Sequence, residues 1–457
     1  MCRVRMVHGI AGAGVRCVWA FALACVWSIG SAQSTEKFEF GVGIHLGMNL
    51  SSLRTTTERF IPGPFSSFRD EVFWSRVEMS ANQLVFPTSL ADLDTLVSRA
   101  SAAGKSPIIL LGYGNPAYDS GDLITTDAGR AAFLRYVTLV VRHFRNRVAR
   151  FEVWNEWNIA MGSPKVPRGQ GRADDYVRLL KATYELIKKE DASLTVIGGA
   201  VNRSDDRWID AFASAGGFRY LDAFSVHPYV YADVSRAPLP PVLNELSKVS
   251  LIKTAAQTSL QASSAPILPR TPESAIAWLE LLNDKIKRVE PTRSIPIYVT
   301  EIGWPTFIGS EGTSEALAAA YLQRFFLLAK TKPWIAGVYW YDLFDDGDNA
   351  AEREHRYGLL KRDGTPKPAF QSMMDIQEIL KSPDRPVMSI AASGQIMISG
   401  RAAGEPFLAT WFPANNLAYF RPWAQDFSVM QDAFRSPGAS ASSEVRVTAV
   451  PSLRFDP

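Results

Sequence analysis

The chain alternates short apolar runs with amphipathic segments from about residue 38 to residue 380. Most of the apolar runs are rich in Val and Ile and show no polar alternation, which is typical of strands buried on both faces of a parallel sheet. The pattern predicts eight such strands, at Phe40–Leu46, Ser66–Arg69, Pro107–Leu111, Phe151–Trp154, Leu194–Gly198, Ala223–His227, Ile295–Thr300 and Ala336–Tyr341.

The segments between these strands carry apolar residues at every third or fourth position, which predicts amphipathic helices. Three of them show it well, at Phe133, Val137, Val140 and Phe144, at Val177, Leu180, Tyr184 and Ile187, and at Leu317, Tyr321, Phe325 and Leu328. Eight strands alternating with helices over residues 38–380 predict a (β/α)8 TIM barrel. The competing fold is a doubly wound open sheet, but no Gly-x-Gly-x-x-Gly follows the first strand, which disfavours its nucleotide-binding form.

Two regions interrupt the alternation. Residues 231–271 hold five prolines and separate the sixth strand from the next helix, and we expect this insertion to form a wall or lid over one end of the cleft. Residues 385–457 carry short β-like runs at Gln395–Ser399, Leu408–Phe412 and Val445–Val450. They predict a small C-terminal β-rich module, either stabilising or sugar-binding.

The amino terminus resembles a targeting segment. Arg3, Arg5 and Arg16 precede an apolar stretch over residues 18–29, and small residues at 30–32 offer a cleavage site. The stretch is shorter than the roughly 20 residues that a spanning helix needs, so we predict a signal peptide at 1–32 and no stable membrane span after its removal. The predicted location is secreted or periplasmic, with lipid modification at Cys25 as a minor alternative.

The composition of the chain excludes some classes of binding partner and metal site. All three cysteines lie in the amino-terminal segment, so a mature chain has no disulfide and no thiolate metal site. Of 49 Lys and Arg residues, three lie in that segment, leaving 46 against 46 Asp and Glu. This balance argues against nucleic acid as a partner, although an acidic sugar bound locally stays compatible with it.

Glu156 and Glu301 each follow an apolar strand, and each has Trp residues beside it. In a barrel the carboxyl ends of the strands carry the catalytic groups, so we expect the two carboxylates to meet there. Such a pair, one proton donor and one nucleophile, is the minimum machinery for cleaving a glycosidic bond with retention. Either glutamate alone is as often a surface ion-pair partner. Asn155, beside Glu156, is suited to bind a sugar hydroxyl, whereas Trp304 is suited either to core packing or to sugar stacking.

Several segments resemble clan A glycoside hydrolases: Trp154–Glu156, His227–Tyr229 and Thr300–Trp304. Tyr113–Pro116, Tyr357–Leu360 and Gly364–Pro368 are similar to members of family 39, and within it to the PslG-like bacterial enzymes associated with exopolysaccharide production. The resemblance covers about residues 38–380 and leaves the C-terminal region unexplained.

The resemblance implies a role for each matching residue. Glu156 is then the acid and base, and Glu301 the nucleophile. The implied binding and positioning residues are Asn155 on the neighbouring hydroxyl, Arg69 and Tyr229 on Glu301, His45 and His227 on the pocket floor, and Trp340 under the sugar. We also expect Arg69 to keep Glu301 ionised and an apolar wall, such as Trp157, to keep the proton on Glu156.

No cofactor and no catalytic metal are predicted. The acidic loop at Asp342, Asp345, Asp346 and Asp348 lacks the spacing of a calcium-binding hand. The predicted function is an exported retaining glycosidase that cleaves within a polysaccharide, with bacterial exopolysaccharide as the expected substrate. The alternatives are an exo-acting glycosidase such as a β-xylosidase, and a non-catalytic carbohydrate-binding barrel.

Overall fold

The computed structural model describes residues 37–229, 271–309, 311–391 and 395–411, together with the backbone of 452–455. All eight predicted strands form, and they close into a parallel barrel in chain order with β1 hydrogen-bonded to β8. They are β1 Glu39–Gly43, β2 Ser67–Phe73, β3 Ile108–Gly112, β4 Arg150–Val153, β5 Thr195–Asn202, β6 Ala223–His227, β7 Ile297–Ile302 and β8 Ile335–Trp340. The predicted TIM barrel is therefore confirmed.

Helices surround the barrel, and the three apolar stripes noted in the sequence lie on α4, α5 and α8. The helices are α1 Leu53–Phe60, α2 Trp74–Val77, α3 Ala91–Ala102, α4 Asp127–His143, α5 Ala173–Glu190, α6 Asp206–Ser214, α7 Pro272–Val289, α8 Glu315–Lys330 and α9 Pro368–Lys381. Side-chain caps define several starts: the Thr126 hydroxyl accepts from the Gly129 N–H, and the Ser314 hydroxyl accepts from the Leu317 N–H. Each cap satisfies a backbone donor that the first helical turn leaves unpaired.

The barrel interior is layered. A small apolar cluster fills one level, formed by Ile108, Ile197, Ala223, Tyr298, Ala336 and Tyr339. Side chains two residues apart on a strand share a face, so Thr300 follows Tyr298 into the interior one level nearer the carboxyl ends. Arg69 and Glu152 lie at that level too, where both hydrogen-bond within the same buried network as Thr300. The core thus changes from apolar to charged towards the carboxyl ends of the strands.

The C-terminal part forms an antiparallel sheet in the order β12-β11-β10-β9, with β9 Val387–Ile390, β10 Ile396–Ala402, β11 Glu405–Trp411 and β12 Ser452–Phe455. It is tied to the barrel helices because the Trp411 indole N–H donates to Glu273 Oε1 over 2.8 Å. Glu273 on α7 forms a buried ion pair with Arg324 on α8. The sheet therefore packs against helices on the outside of the barrel.

Several predictions fall on residues outside the described ranges: the signal peptide at 1–32, residues 231–270 of the insertion and the β-like run at 445–450. The other two C-terminal runs lie within β10 and β11 apart from Gln395 and Phe412 at their ends. In the part of the chain that is described, no helix has the length and apolar character needed to cross a membrane.

Candidate active site

A cavity of about 640 Å³ opens at the carboxyl ends of the barrel strands, and both Glu156 and Glu301 line it. A carboxylate oxygen of each glutamate and a ring nitrogen of His227 lie within 4.8 Å of one another. Glu156 and Glu301 are both largely buried, with 4% and 9% of their surface exposed. The structure therefore brings together the two carboxylates that the sequence analysis singled out.

The chain beyond β4 takes an uncommon backbone path that places Asn155 and Glu156 at the cavity. Trp154 and Glu156 both have positive φ angles, 64° and 49°. For non-glycine residues such conformations cost about 1–3 kcal/mol each and persist only where neighbours hold them. Here the Trp154 N–H donates to Leu111 O and the Glu156 N–H donates to Ala200 O, over 2.9 and 3.0 Å. Neighbouring strands thus fix the direction of the Glu156 side chain.

Glu301 lies at the end of β7 between a cation and a hydroxyl donor. Arg69 donates from Nη1 to Glu301 Oε1 over 2.8 Å, and the Tyr229 hydroxyl donates to Glu301 Oε2 over 3.2 Å. The same guanidinium donates from Nη2 to Asn155 Oδ1 over 2.8 Å. That bond turns the Asn155 amide so that its NH2 group is the donor available to a ligand. Arg69, Tyr229 and Asn155 therefore lie where the resemblance implied.

Glu156 has different neighbours from Glu301, and the expectation that an apolar wall keeps Glu156 protonated is wrong. Burial by itself raises the pKa of Glu156, but hydrogen bonds from His227 Nδ1 at 2.9 Å and Asn202 Nδ2 at 2.6 Å outweigh it and hold that pKa below the usual value. Trp157 does not reverse this, because its indole is fully buried and donates to the Arg172 carbonyl. The carboxylate form of Glu156 is thus favoured.

His227 holds the proton that Glu156 gives up. Burial lowers the pKa of His227, but the nearby charge of Glu301 and the hydrogen bond with Glu156 raise it overall. Its other nitrogen, Nε2, lies 3.1 Å from the Thr300 hydroxyl, and that hydroxyl donates to Glu152 over 2.8 Å. Since the hydroxyl proton is used, the hydroxyl accepts from Nε2–H. With Glu156 as a carboxylate, Nδ1–H donates as well, and the proton shared by the pair lies on the imidazole.

Glu152 is the central acceptor of this network, and the sequence analysis did not assign it a role. It is completely buried in β4, where its carboxylate accepts from Arg69 Nε over 2.5 Å and from Thr300. The Arg69 guanidinium therefore links Glu152, inside the barrel, to Glu301, which lines the cavity. A single charged residue between Phe151 and Val153 in an apolar strand is the sequence signal for such an inward carboxylate.

His45 also lines the cavity, where it contacts the acidic loop after β8. Its Nδ1 lies 2.9 Å from Asp346 Oδ1 and 3.4 Å from Asp342 Oδ2. Burial lowers the pKa of His45, but the hydrogen bond to Asp346 and the charge of Asp342 outweigh it and raise that pKa to about 10. His45 is therefore a cation at neutral pH.

The raised pKa of His45 predicts a change in stability with pH. The folded-state pKa lies above the usual 6.5, so the stabilisation that protonated His45 contributes is complete below about pH 6.5 and is lost as pH rises to about 10. We expect the difference in melting temperature between the wild type and His45→Asn to shrink steadily over that range. Calorimetry at a series of pH values measures it, and a constant difference would contradict the assignment.

Two predicted aromatic contacts are not found. Neither Trp340 nor Trp304 is among the residues that line the cavity, and each exposes at most 2% of its surface. The Trp340 indole donates to the Tyr357 carbonyl over 3.2 Å, and the two Trp rings pack together with centroids 5.9 Å apart. Trp304 also contacts Tyr321 and Phe325 on α8. Of the two interpretations offered for Trp304, core packing is the one that applies.

Other residues of the cavity were not anticipated. Asn202, Arg203 and Arg168 line it beside Glu156, and Glu71 lines it beside Arg69. Burial raises the pKa of Glu71. Asn202 is the residue with the clearest function, because it donates directly to the Glu156 carboxylate.

Two groups of side chains within the described ranges place potential metal ligands close together: His45, Asp342 and Asp346, and Glu156, His227 and Glu301. Hydrogen bonds account for both groups. In each of them a ring nitrogen of the histidine is in hydrogen-bond contact with a carboxylate, and the pKa of the histidine is raised.

No protein-family model matches the chain. Among curated proteins it is similar to a β-xylosidase from Geobacillus stearothermophilus, with 24% identity over 374 residues that cover 76% of this chain and 69% of the relative. A solved family 39 glycoside hydrolase from Bacteroides cellulosilyticus WH2 superposes with a TM-score of 0.61 at 24% identity, over 84% of this chain and 72% of that one. A monomeric β-xylosidase from Caulobacter crescentus CB15 gives 0.57 at 17% identity, over 84% and 76%.

The chain has the fold of the family 39 glycoside hydrolases. The resemblance drawn from the sequence motifs is thereby confirmed at the level of this family's fold. The nearer resemblance to PslG-like enzymes stays a prediction.

Proposed function

We propose that the protein is a retaining glycoside hydrolase that acts by double displacement. One observation carries this proposal: carboxylate oxygens of Glu156 and Glu301 lie within 4.8 Å of each other beside an open cavity. Retaining enzymes hold their two carboxyl groups about 5–5.5 Å apart, whereas inverting enzymes need roughly 6.5–9.5 Å to admit a water molecule between them. The short separation supports direct attack by one carboxylate on the sugar.

Glu301 is the proposed nucleophile. Arg69 and Tyr229 hydrogen-bond its two oxygens, which fixes the orientation of the carboxylate and places a positive charge beside it. In the first step its carboxylate bonds to the anomeric carbon while the glycosidic C–O bond breaks. The Asn155 amide, oriented by Arg69, donates to the neighbouring sugar hydroxyl, a bond that strengthens in the transition state.

Glu156 and His227 together carry out the proton transfers of both steps. As the glycosidic bond breaks, the His227 imidazolium passes its proton through the Glu156 carboxyl group to the leaving oxygen, which leaves His227 neutral and Glu156 ionised. Formation of the ester removes the charge of Glu301, which is the strongest interaction that raises the pKa of His227. Glu156, whose own pKa is low, then takes a proton from the attacking water as the ester is hydrolysed.

The Glu156→Gln variant tests these roles. Glycosides with poor leaving groups should react about 10²–10⁴-fold more slowly, because their oxygen must be protonated as it leaves. An aryl glycoside whose leaving group needs no proton should still form the ester, and azide should restore turnover, since a small anion attacks without a general base. Chromatography and NMR should then show a glycosyl azide with the anomeric configuration of the substrate. An inverted azide, or equal losses for both classes of substrate, would contradict the assignment.

Cleavage within a polysaccharide is the proposed mode of action, and an exo-acting β-xylosidase is the second candidate. The cavity of about 640 Å³ lies within the roughly 300–1,000 Å³ of pockets that enclose drug-sized ligands, so it has room for more than one sugar ring. The curated relative is a β-xylosidase, which favours the second candidate. Product sizes discriminate the two: a mixture of oligosaccharides from a long glycan supports internal cleavage, and monosaccharide alone supports exo action.

Export and a bacterial exopolysaccharide substrate belong to the proposal on the strength of the sequence motifs. A digestion screen of acidic and neutral exopolysaccharides, with mass analysis of the products, tests the substrate. Binding of glycans without hydrolysis of any of them would favour a non-catalytic barrel instead.

A further inference from the structure

Two arginines that line the cavity have no acidic partner among the residues that the structure describes. Within the described part of the chain four arginines line it. Arg69 is bound by Glu152, Glu301 and Asn155, and Arg353 pairs with Glu311 and Glu354. Arg168 and Arg203, by contrast, form no ion pair and no side-chain hydrogen bond with any residue that the structure describes.

Both arginines follow chain segments that carry contacts to Glu156 or Glu156 itself. Arg168 belongs to the connection between β4 and α5, the same connection that carries Glu156. Arg203 directly follows Asn202, whose amide donates to Glu156 Oε1 over 2.6 Å. Glu156 is the proposed proton donor to the leaving oxygen, so groups beside it face the sugar that leaves rather than the sugar that forms the ester.

The backbone at Arg203 is fixed. Its φ angle is 59°, a conformation that costs a non-glycine residue about 1–3 kcal/mol. The Arg203 N–H donates to the His227 carbonyl over 2.9 Å. One residue earlier, the Asn158 side chain accepts from the Asn202 N–H and donates to the Asn202 carbonyl, over 3.0 and 3.1 Å. The half-buried Arg203 side chain therefore starts from a defined point on the barrel rim.

We propose that Arg168 and Arg203 form a subsite for an anionic sugar on the leaving-group side of the scissile bond. A guanidinium group offers a planar fork of N–H donors that matches a carboxylate, so a uronic acid is the expected occupant. This inference rests on the proposed glycosidase function in one respect: that function defines which side of the scissile bond is the leaving-group side. It makes the substrate an acidic glycan, although the chain as a whole carries a formal net charge of only +3.

The surroundings explain why two arginines are needed. The same cavity is lined by Glu71, Glu156, Glu301, Glu352 and Glu354, so an anionic ligand meets carboxylates on its other sides. A neutral glycan needs no cation at the rim, whereas an acidic one must be drawn to the Glu156 side and away from these groups. Arg168 and Arg203 lie where that attraction directs the carboxylate towards the leaving-group position.

The test compares two ligands that differ only at one carbon. Methyl β-D-glucuronide carries a carboxylate where methyl β-D-glucoside carries CH2OH, and calorimetric titration of the full chain measures both affinities. We expect the glucuronide to bind about tenfold more tightly or better, since charge-assisted hydrogen bonds contribute about 1.5–3 kcal/mol. Arg203→Gln and Arg168→Gln should each lower this preference at least about threefold, and the double variant should abolish it.

Arg207→Gln is the matched control, because it removes the same charge from an exposed arginine on α6 that does not line the cavity. It should keep the wild-type preference. Equal affinities for the two ligands in the wild type, or a preference that survives the double variant, would overturn the subsite. Turnover of aryl glycosides is measured separately, so an enzyme that hydrolyses them without preferring the glucuronide refutes the subsite alone. A protein that prefers the glucuronide but hydrolyses nothing refutes the proposed hydrolysis instead.

Discussion

Replacing Glu301 with glutamine should lower turnover by roughly three to five powers of ten. The amide keeps the size of the side chain but does not supply the carboxylate oxygen that bonds to the anomeric carbon. It also removes the negative charge to which Arg69 Nη1 donates at 2.8 Å and which raises the pKa of His227. The variant therefore loses the nucleophile and part of the electrostatic setting of the proton donor.

The measurement is kcat on an activated aryl glycoside, for which the first chemical step needs no proton. Glu185→Gln, at an exposed position on α5, is the control for the general effect of removing a carboxylate. Circular dichroism and a thermal melt establish that both variants are folded. If Glu301→Gln keeps activity within about tenfold of the wild type, the covalent mechanism is wrong.

Much of the barrel is predictable because buried parallel strands leave a strong pattern. β3 is buried at all five positions, and its sequence is a continuous apolar run. The pairing of distant residues follows from the same geometry, since parallel strands bring their carboxyl ends to one edge. The family resemblance implied that Arg69, Tyr229 and Glu301 lie together, and they do, although Arg69 lies within β2 and not at its end as predicted.

The partner of Glu156 on β5 was not predictable from the apolar pattern. The predicted strand ended at Gly198, where two glycines interrupt the run, but the observed β5 continues to Asn202. A register shift between Gly198 and Val201, with positive φ angles at Gly199 and Ala200, carries the strand past this point. Such a bulge re-aims the residues that follow it, and here it directs Asn202 to Glu156.

The wrong expectation about Glu156 has the same origin. A neighbouring Trp in the sequence suggested an apolar environment that holds a proton, but pKa depends on the hydrogen bonds that the carboxylate accepts. Those come from Asn202 and His227, on two other strands. No local pattern around Glu156 reports contacts with residues that lie 46 and 71 positions away.

The position of Trp340 was readable from alternation along β8. Trp340 lies two residues after Val338, so both point to the same face of the strand, and Val338 belongs to the core shared with the helices. Tyr339, between them, is the residue that faces the barrel interior. The family resemblance favoured a sugar contact for Trp340, whereas the alternation favoured the packed position in which it is found.

Replacing Arg69 with methionine should both destabilise the protein and inactivate it. Arg69 is 6% exposed and its guanidinium bonds Glu152, Glu301 and Asn155. Methionine fills much of the space but leaves the completely buried Glu152 carboxylate without its cation, and breaking one side of a buried pair costs about 3–5 kcal/mol. Chemical denaturation measures the loss of unfolding free energy. A loss below about 1 kcal/mol would contradict the network described above.

A second substitution separates the structural part of this effect from the chemical part. In the Arg69→Met, Glu152→Gln double variant no buried carboxylate is left unpaired at position 152, so stability should recover by a large share of the initial loss. Activity should not recover, because Glu301 still lacks the guanidinium that donates to its Oε1, and Asn155 still lacks the donor that orients its amide. Recovery of wild-type turnover together with stability would mean that Arg69 supports the barrel alone and takes no part in preparing the nucleophile.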